Sequence, residues 1–347
     1  MDKQLAYING ISYYLPARVL TNYELSQEHL DWSVEKISQK TGILQRHIAG
    51  ENEYSSEMAL SAIDAFFKKH TIERGDIDFL LFCTQSPDYL LPTTACILQD
   101  KANLPKSCGA LDFNLGCSGY IYGLGLAKGL VESGQAKNIL LVTSETYSKF
   151  IHSKDKSNKT LFGDASSVTL VTSQPDENYF CAQIKHFAYG TDGSGYEHLI
   201  VRNGRMKGSK SEGKDQFDEE GYFVRNDDNL YMDGKAIFNF TAFEIPPLVD
   251  KVIKINNLSP GDIDLFVFHQ ANAYMLDFVR NRCKIPKEKF YISMQDIGNT
   301  VSSTIPIAIK RAIEDKTLNS STQHILLAGF GVGLSMGAVI LENNKLS

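Results

Sequence analysis

Three short segments carry nucleophilic or polar side chains among small residues: NLGCSGY at 114–120, HQAN at 269–272 and GNTVSST at 298–304. Cys117 stands between an apolar run and a predicted helix, so we expect it at the first turn of that helix. There the helix dipole and the unpaired backbone N–H groups lower a thiol pKa and favour the nucleophilic thiolate. A small buried cysteine at a tight crossing is the alternative interpretation.

His269 and Asn299 occupy similar places. His269 follows an apolar strand, and Asn299 lies in a glycine-led turn before a predicted helix. The carboxyl ends of buried strands are where open α/β sheets usually carry functional groups. Alone, each has a structural alternative, a core histidine and a helix-capping asparagine. Together, a Cys, a His and an Asn on such turns form a set that can bind one acyl thioester. Their order also resembles papain-like proteases, but the local motif of that class is absent.

An internal repeat predicts two equivalent halves. GDIDFLLFCTQ at 75–85 matches GDIDLFVFHQA at 261–271, which lies 186 residues later, and NILLVTS at 138–144 matches HILLAGF at 324–330 at the same offset. A period this long indicates a duplicated domain rather than a solenoid. We therefore predict an N-terminal half at 1–174 that carries the Cys and a C-terminal half at 175–347 that carries the His and the Asn.

Short β-branched runs alternate with longer amphipathic stretches in both halves, which is typical of an α/β fold. Because the runs are apolar throughout, we expect central strands that helices cover on both faces. The predicted strands are 78–83, 108–113, 138–143, 264–268, 290–293 and 324–328. The predicted helices are 55–70, 121–133, 235–256, 271–283 and 304–315. The polar, glycine-rich stretch 202–228 is predicted as a surface loop, either solvated or serving as a lid.

Composition disfavours several functional classes. The net charge of −6 and the lack of a Lys/Arg-dense stretch give no reason to expect a nucleic-acid partner. No apolar window approaches the length of a membrane span, and the N-terminus lacks the apolar core of a signal peptide. The six scattered cysteines show no zinc-ligand spacing, so we expect no metal site and a reducing, cytoplasmic location.

The joint set of motifs resembles the β-ketoacyl-acyl-carrier-protein synthase III family of the thiolase-like superfamily. Beside the three segments above, LFGDASS, the glycine loop GFGVGLSMG, TGILQRHIA at 41–49 and SPDYLLPTTACILQ at 86–99 resemble motifs of that family. The resemblance runs from about residue 5 to residue 342. It implies a thiolase-like, five-layered αβαβα fold of two duplicated halves, normally a homodimer. It also implies acyl-CoA or acyl-carrier protein and malonyl-carrier protein as substrates, with no tightly bound cofactor.

The resemblance further implies a decarboxylative condensation in fatty-acid or specialised lipid and polyketide biosynthesis. Cys117 would hold the acyl group, while His269 and Asn299 would bind the malonyl thioester and stabilise the enolate formed as CO₂ leaves. Backbone N–H groups of Cys117 and of the loop formed by Gly331, Val332 and Gly333 would hold the oxyanion. Thiolases that run the reverse reaction need a second cysteine in the final glycine loop, and GFGVGLSMG has none.

Other functions stay open on the sequence. Chalcone-synthase-like enzymes share the Cys, the His and the Asn and condense with malonyl-CoA. Transfer of the Cys117-bound acyl group to an alcohol or an amine is another use of this fold, although the Asn argues against it because pure transfer needs no enolate. An inactive partner subunit is disfavoured by the intact set of three residues.

The positions that would bind the acyl donor depart from the family pattern. Where the best-known members grip the coenzyme A nucleotide with a Trp and an Arg, this chain has Lys36 and Lys40. A further family Arg matches Lys156, and Asn272 completes the predicted mouth of the site. A lysine binds phosphate as a point charge, but it neither stacks on adenine nor forks onto phosphate. Delivery of the acyl group by a carrier protein, or a weaker coenzyme A site, is therefore favoured.

Two further predictions follow from the resemblance. Carrier-protein docking is expected at Arg280, Arg282 and Lys284, although they could form an ordinary charged helix face. The acyl pocket is expected at Phe162 and Leu91. Leu91 matches a position that is often Phe and closes the pocket across the dimer interface, so we expect room for acyl groups longer or more branched than acetyl.

Overall fold

The computed structural model describes residues 4–28, 32–204, 206–208 and 212–343. The outermost residues of the two predicted halves, 1–3 and 344–347, lie outside the described residues, as do 205 and 209–211 of the predicted surface loop. No helix within the described part of the chain is long and apolar enough to cross a membrane.

Strands and helices alternate along the chain. The first seven strands are β1 (Tyr7–Tyr14), β2 (Arg18–Thr21), β3 (Gln45–Ile48), β4 (Phe79–Cys83), β5 (Gly109–Phe113), β6 (Asn138–Glu145) and β7 (Ala165–Thr172). The helices that accompany them are α1 (Asn22–Glu28), α2 (Val34–Thr41), α3 (Ser55–Phe67), α4 (Thr94–Lys101), α5 (Gly119–Glu132) and α6 (Lys156–Lys159).

The later part of the chain continues the pattern. Its strands are β8 (Ala182–Thr191), β9 (Leu199–Ile200), β10 (Gln216–Phe217), β11 (Phe223–Arg225), β12 (Tyr231–Met232), β13 (Leu265–Phe268), β14 (His324–Gly331) and β15 (Ser335–Asn343). Its helices are α7 (Gly234–Ile255), α8 (Ala273–Arg282) and α9 (Thr304–Glu314).

Nine strands form one mixed sheet in the order β13-β14-β15-β8-β1-β7-β6-β4-β5. The order reads symmetrically from the contact of β1 with β8, where the pairs Tyr7–Gln183 and Ile8–Ala182 join the two sets of strands. Strands β4, β5 and β6 pair in parallel, and so do β13 and β14. The internal repeat in the sequence thus corresponds to a repeated order of strands in the sheet.

Helices separate and cover the two sets of strands. Helix α3 packs on β1, β6 and β7, and α7 packs on β8, β14 and β15. Helix α5 contacts strands of both sets, and α9 contacts β1, β7 and β13, so these two helices form the middle layer. Apolar side chains of α5 and α9 share one core with those of β6 and β14. The result is the five-layered α/β arrangement expected from the sequence.

The predicted strand at 290–293 is wrong. Phe290 makes only an isolated bridge with Phe266. The side chain of Gln270 takes up the neighbouring backbone groups, because its Nε2 donates to the Tyr291 carbonyl at 3.3 Å and its Oε1 accepts from the Ser293 N–H at 2.9 Å. A side-chain amide therefore satisfies the backbone where a ladder would have continued.

The predicted surface loop contains the short hairpin of β10 and β11. The His152 ring stacks on the Phe223 ring with centroids 4.4 Å apart, and the Lys154 ammonium lies over the Phe217 ring. The described part of the loop is therefore docked on the segment before α6 and is not simply solvated.

Candidate active site

The predicted Cys, His and Asn line one cavity of about 540 Å³. Cys117 reaches it from the turn before α5, His269 from the end of β13, and Asn299 from the turn before α9. Apolar side chains line much of the remaining wall, including those of Phe162, Leu199, Met232, Ile237 and Phe330. An apolar cavity with a few converging polar groups is typical of a small-molecule site.

Small residues let the chain pack tightly around Cys117. A Cβ on Gly116 would lie 2.4 Å from the Gln85 Oε1, and a Cβ on Gly119 would lie 2.3 Å from the Cys83 sulfur. A Cβ on Gly331 would lie 2.8 Å from the sulfur of Cys117 itself. The glycines of NLGCSGY and GFGVG therefore allow the turn and the loop to meet at the sulfur.

The expectation that Cys117 has a lowered pKa is wrong for the resting protein. Burial raises the pKa of this thiol to about 12, and the N–H of Val332 and the residue's own backbone N–H offset only part of the shift. Cys117 is 6 % exposed, so the cost of desolvating a thiolate exceeds the stabilisation from the nearby N–H groups. The resting nucleophile is a thiol that must lose its proton during the reaction.

His269 is a buried, neutral histidine. Its backbone N–H donates to the Ala328 carbonyl at 2.8 Å, which fixes the residue against β14. Burial lowers the pKa of its imidazole to about 3, with a smaller opposing effect from the Val301 carbonyl. Its Nδ1 lies 2.8 Å from the Thr304 Oγ1. The ring is therefore uncharged at neutral pH and can act through a hydrogen bond rather than through a charge.

Asn299 is held by hydrogen bonds of its backbone and of its side-chain oxygen. Its N–H donates to the Leu161 carbonyl at 2.9 Å, and its C=O accepts from the Gly163 N–H at 2.9 Å. The Asn299 Oδ1 accepts from the Val301 N–H at 2.9 Å. Because the Oδ1 is engaged in this turn, the amide NH₂ is the group left to donate toward the cavity.

The predicted oxyanion loop is divided between two cavities. Gly331 lines the cavity of Cys117, whereas Val332 lines a neighbouring cavity of about 700 Å³. The Val332 N–H is directed at the Cys117 sulfur. Gly333 lines neither cavity, and a Cβ on it would lie 3.0 Å from the Ser335 backbone nitrogen. The loop contact nearest to the nucleophile therefore comes from Gly331 and Val332.

The mouth of the cavity contains a tryptophan that is not among the residues predicted from the sequence. Trp32 lines the cavity with Lys40, and the ammonium groups of Lys40 and Lys36 lie 4.7 and 5.6 Å from its ring centroid. The available signal was the chain's single Trp, which stands four residues before Lys36 and eight before Lys40, a spacing that places the three side chains on one side of a helical stretch. Lys156 lies instead with its ammonium over the Tyr222 ring. Asn272 lines the cavity, but its Oδ1 accepts from the Met275 N–H and caps α8.

The two predicted acyl-pocket residues lie in different surroundings. Phe162 is buried in the wall of the first cavity. Leu91 is 78 % exposed and lines neither cavity, while its neighbours Tyr89 and Leu90 line the second one. Leu199 lines both cavities and separates them. The prediction for Leu91 thus depends on a second protein copy.

The three predicted docking residues, two on α8 and one just after it, differ in their contacts and exposure. The Arg280 guanidinium donates to Asp277 at 2.8 Å and to the Ile285 carbonyl at 2.9 Å, so it stabilises the end of its own helix. Arg282 and Lys284 are exposed. Tyr274 is exposed at the cavity mouth, where its ring stacks near that of Phe238.

Comparisons with known proteins agree over nearly the whole chain. Residues 111–193 match the family profile of 3-oxoacyl-(acyl-carrier-protein) synthase III, and residues 253–343 match the profile of its C-terminal part. A β-ketoacyl-(acyl-carrier-protein) synthase III of Clostridium perfringens is 34% identical over 96% of this chain and 98% of its own length. One of Staphylococcus epidermidis is 33% identical over 98% of this chain and 99% of its own length.

Solved structures give the same result. A crystal structure of a 3-oxoacyl-(acyl-carrier-protein) synthase III superimposes with a TM-score of 0.92 at 43% identity, over 97% of this chain and 99% of the other. A 3-oxoacyl-(acyl-carrier protein) synthase of Burkholderia xenovorans superimposes with a TM-score of 0.86 at 31% identity, over 98% of this chain and 94% of the other.

Proposed function

Because the chain belongs to the 3-oxoacyl-(acyl-carrier-protein) synthase III family of the thiolase-like superfamily, we propose that it is the condensing enzyme of a fatty-acid or related lipid pathway. It is an acyltransferase that joins an acyl thioester to malonyl-carrier protein with loss of CO₂. The observation that carries this proposal is the convergence of Cys117, His269 and Asn299 on one largely apolar cavity.

In the first step the acyl group moves to the enzyme. The Cys117 sulfur attacks the thioester carbonyl, a new carbon–sulfur bond forms, and the thiol of the donor leaves with the proton that Cys117 gives up. The N–H of Val332 and the N-terminal turn of α5 lie next to this sulfur and stabilise its developing negative charge. Because the pKa of the Cys117 thiol is raised, the resting sulfur carries a proton that it must lose in this step.

In the second step malonyl-carrier protein enters the same cavity. Neutral donors on His269 and Asn299 bind the thioester oxygen, on which negative charge develops as CO₂ leaves. The enolate carbon then attacks the acyl carbonyl on Cys117, which forms the carbon–carbon bond and breaks the carbon–sulfur bond. The sulfur leaves as a thiolate and takes up a proton to restore the resting thiol. Preorganised donors suit this step because a neutral His and an Asn need not change charge.

The acyl donor is held at a mouth that contains Lys40 and Asn272 of the predicted set and, in addition, Trp32. Trp32 offers a flat apolar face, and Lys36 and Lys40 bring positive charge beside it. A phosphate on a coenzyme A or phosphopantetheine arm fits this positive charge. In this structure the ammonium groups make cation–π contacts with the Trp32 ring. The acyl chain extends along Phe162 and Leu199, and the second cavity beyond Leu199 supports acceptance of groups larger than acetyl.

The carrier protein docks along α8, whose N-terminal end lines this mouth and at whose C-terminal end the basic residues lie. Arg282 and Lys284 are the exposed basic residues of the predicted set, and they steer an acidic partner toward the cavity. Tyr274 and Phe238 add an aromatic contact at the rim. Arg280 supports the docking helix from within rather than meeting the carrier.

The active form is a homodimer. Strand β5 ends the sheet, and on its outer side no other strand pairs with it in the described ranges. Leu111 on β5 is 45 % exposed and Leu126 on α5 is 44 % exposed, an apolar edge that a second copy would cover. Light scattering is expected to give twice the chain mass, and Leu111→Lys is expected to lower it toward the monomer. A monomeric wild type would contradict this assignment.

The chain's cysteines fit a cytoplasmic location. All six are free thiols, including the exposed Cys96, which is the state expected in a reducing compartment. Residues 1–174 and 175–347 remain the two halves of our proposal, with the nucleophile on one and the His and Asn on the other.

Intact-mass spectrometry tests the function. Wild type and Cys117→Ala are mixed with a panel of acyl-CoAs and acyl-carrier proteins, and malonyl-carrier protein is then added. We expect an acyl adduct on the wild type alone, which malonyl-carrier protein converts to a 3-oxoacyl-carrier protein with release of CO₂. An equal adduct on both proteins would contradict the role of Cys117. An adduct that reacts only with malonyl-CoA, or that moves to an alcohol or amine without CO₂ release, would indicate one of the alternative activities.

A further inference from the structure

The Thr304 hydroxyl lies directly behind the catalytic imidazole. Its Oγ1 is 2.8 Å from the His269 Nδ1, and Thr304, unlike His269, is not among the residues that line the cavity. Both residues are buried, with 2 % of His269 and 1 % of Thr304 exposed. Because bulk water does not reach this contact, the protons that the two groups carry are decided by the neighbouring protein groups.

Two hydrogen-bond patterns fit these atoms. In the first, the Thr304 hydroxyl donates to the His269 Nδ1, and the ring proton is then on Nε2. In the second, a protonated Nδ1 donates to Thr304, and the hydroxyl donates to the Val301 carbonyl, which lies 3.0 Å away. The choice between them fixes whether the His269 Nε2 is a donor or an acceptor.

The Val301 carbonyl is already supplied with a donor. The backbone N–H of Thr304 donates to it at the end of the single turn that precedes α9. It therefore does not need the hydroxyl proton to avoid being buried without a partner. Both patterns leave these buried groups paired, but only the first leaves a proton on Nε2, the donor that the proposed reaction requires at its developing oxyanion.

Asn299 supports the same choice from the other side of the site. Its Oδ1 accepts from the Val301 N–H, so its NH₂ is the group free to donate. A His269 Nε2–H would give the cavity a second donor beside it, and two donors can bind one developing oxyanion. A lone pair on Nε2 would repel that charge instead. The single turn at 301–303 thus orders both donors, through Val301 for the asparagine and through Thr304 for the histidine.

We propose that Thr304 is a positioning residue, whose hydroxyl donates to the His269 Nδ1 and keeps the ring proton on Nε2, toward the substrate. This inference rests on the proposed function for its catalytic consequence, but the proton position itself can be measured without turnover. Thr304 touches no substrate and acts only through the histidine.

Solid-state ¹⁵N NMR of histidine-labelled protein tests the proton position, with the His269 signals assigned by difference from His269→Gln. We expect an unprotonated Nδ1 and a protonated Nε2 in wild type and in Thr304→Ser. In Thr304→Val, which keeps the branched shape but lacks the hydroxyl, we expect a mixture of tautomers. A protonated Nδ1 in wild type overturns the proposal.

Kinetics test the consequence. Complete loss of one oxyanion donor costs about 100- to 1,000-fold, so a partial loss in Thr304→Val should lower kcat for condensation by about 10- to 100-fold. The rate of acyl loading on Cys117 should change less than about threefold, since the N–H groups near that sulfur are unaltered. Thr304→Ser should restore condensation. Equal condensation rates in Thr304→Val and wild type, or no rescue by serine, would overturn the proposal.

Thr169→Val is the matched control. Thr169 is also fully buried, and its hydroxyl contacts only the Tyr120 hydroxyl among the hydrogen bonds of the described residues. We expect it to lower stability much as Thr304→Val does while leaving both kinetic steps unchanged. If wild type shows the Nε2 proton but no condensation with any donor, the proposed function fails while the tautomer assignment stands.

Discussion

The two halves place different chemistry at equivalent strand ends. At the offset of 186 residues, Cys83 at the end of β4 corresponds to His269 after β13, and Glu145 at the end of β6 corresponds to Gly331 at the end of β14. Cys83 is fully buried and its Sγ donates to the Leu115 carbonyl at 3.0 Å, whereas His269 lines the cavity. A duplicated backbone therefore supplies matching positions, and packing decides which of them reach substrate.

The largest expected difference is between the two cysteines of the N-terminal half. Cys117→Ala should lower condensation by about 1,000-fold or more, because the covalent intermediate is lost. Cys83→Ala should leave kcat within about threefold and lower the free energy of unfolding by about 1 kcal/mol. Product formation by mass spectrometry and urea unfolding measure the two effects. A large loss of activity in Cys83→Ala at full folding would mean that both strand ends serve the reaction.

Gly331→Ala tests the end of β14, which is the strand end of the C-terminal half that packs against the Cys117 sulfur. The new Cβ would lie 2.8 Å from the Cys117 sulfur, so either the sulfur or the loop must shift. A displacement on this scale can cost about 100-fold, and we expect a loss of that size in the acyl-loading rate. Gly129→Ala on α5 is the control, because a Cβ there meets nothing within 4 Å. Loading at the wild-type rate in Gly331→Ala would show that the loop does not hold the sulfur.

The pH dependence of alkylation tests whether burial or the helix end controls Cys117. Only the thiolate reacts, and burial raises the pKa of this thiol to about 12. The alkylation rate should therefore rise about tenfold per pH unit from pH 6 to pH 9 without a plateau. Iodoacetamide labelling, located by peptide mapping, measures it. A plateau near neutral pH would mean that the helix N-terminus dominates after all.

Much of the fold and the three central residues follow from the sequence. Cys117, His269 and Asn299 stand at strand-to-helix turns, and such turns are visible because apolar runs end abruptly at small residues. The repeat adds the correspondence between the halves, since it matches β6 with β14 and β4 with β13, but the order of the strands comes from the structure. Local pattern and duplication therefore indicate the candidate positions, and the resemblance of the joint motif set gives these positions their expected roles.

Properties that depend on a residue's three-dimensional surroundings do not follow from the sequence. The Cys117 pKa reflects burial by distant segments, which outweighs a local effect of the helix. Thr304 was expected only as the first residue of a helix, and nothing in its neighbours along the chain indicates a contact with His269 across 35 residues. In the same way, a side-chain hydrogen bond from a distant residue, Gln270, replaces the strand pairing that was predicted at 290–293. Partners of this kind are set by packing, which periodicity does not report.

Glu145 lies at the end of β6, at the position that corresponds to Gly331 in the other half. Its expected effect, on stability rather than on activity, is the smallest of those compared. Its carboxyl is fully buried, accepting from the Gln85 N–H at 3.0 Å and from the Ser302 hydroxyl at 2.9 Å. Burial raises the pKa of this group to about 8 despite these donors. Between its unfolded pKa, near 4.5, and pH 8 the folded state holds the proton that the unfolded state has lost. The free energy of unfolding contributed by this group therefore falls as pH rises.

The window from pH 6.5 to pH 8 isolates this effect. Below it, His269 acts in the opposite direction, because its folded pKa of about 3 makes the protein lose stability as the pH falls. Within the window, the wild type should lose up to about 1.4 kcal/mol per pH unit relative to Glu145→Gln, whose side chain stays neutral. Glu314→Gln, on the exposed side of α9, should keep the wild-type slope. Parallel slopes in wild type and Glu145→Gln would mean that the carboxylate is ionised in the folded protein, and that the donors around it outweigh its burial.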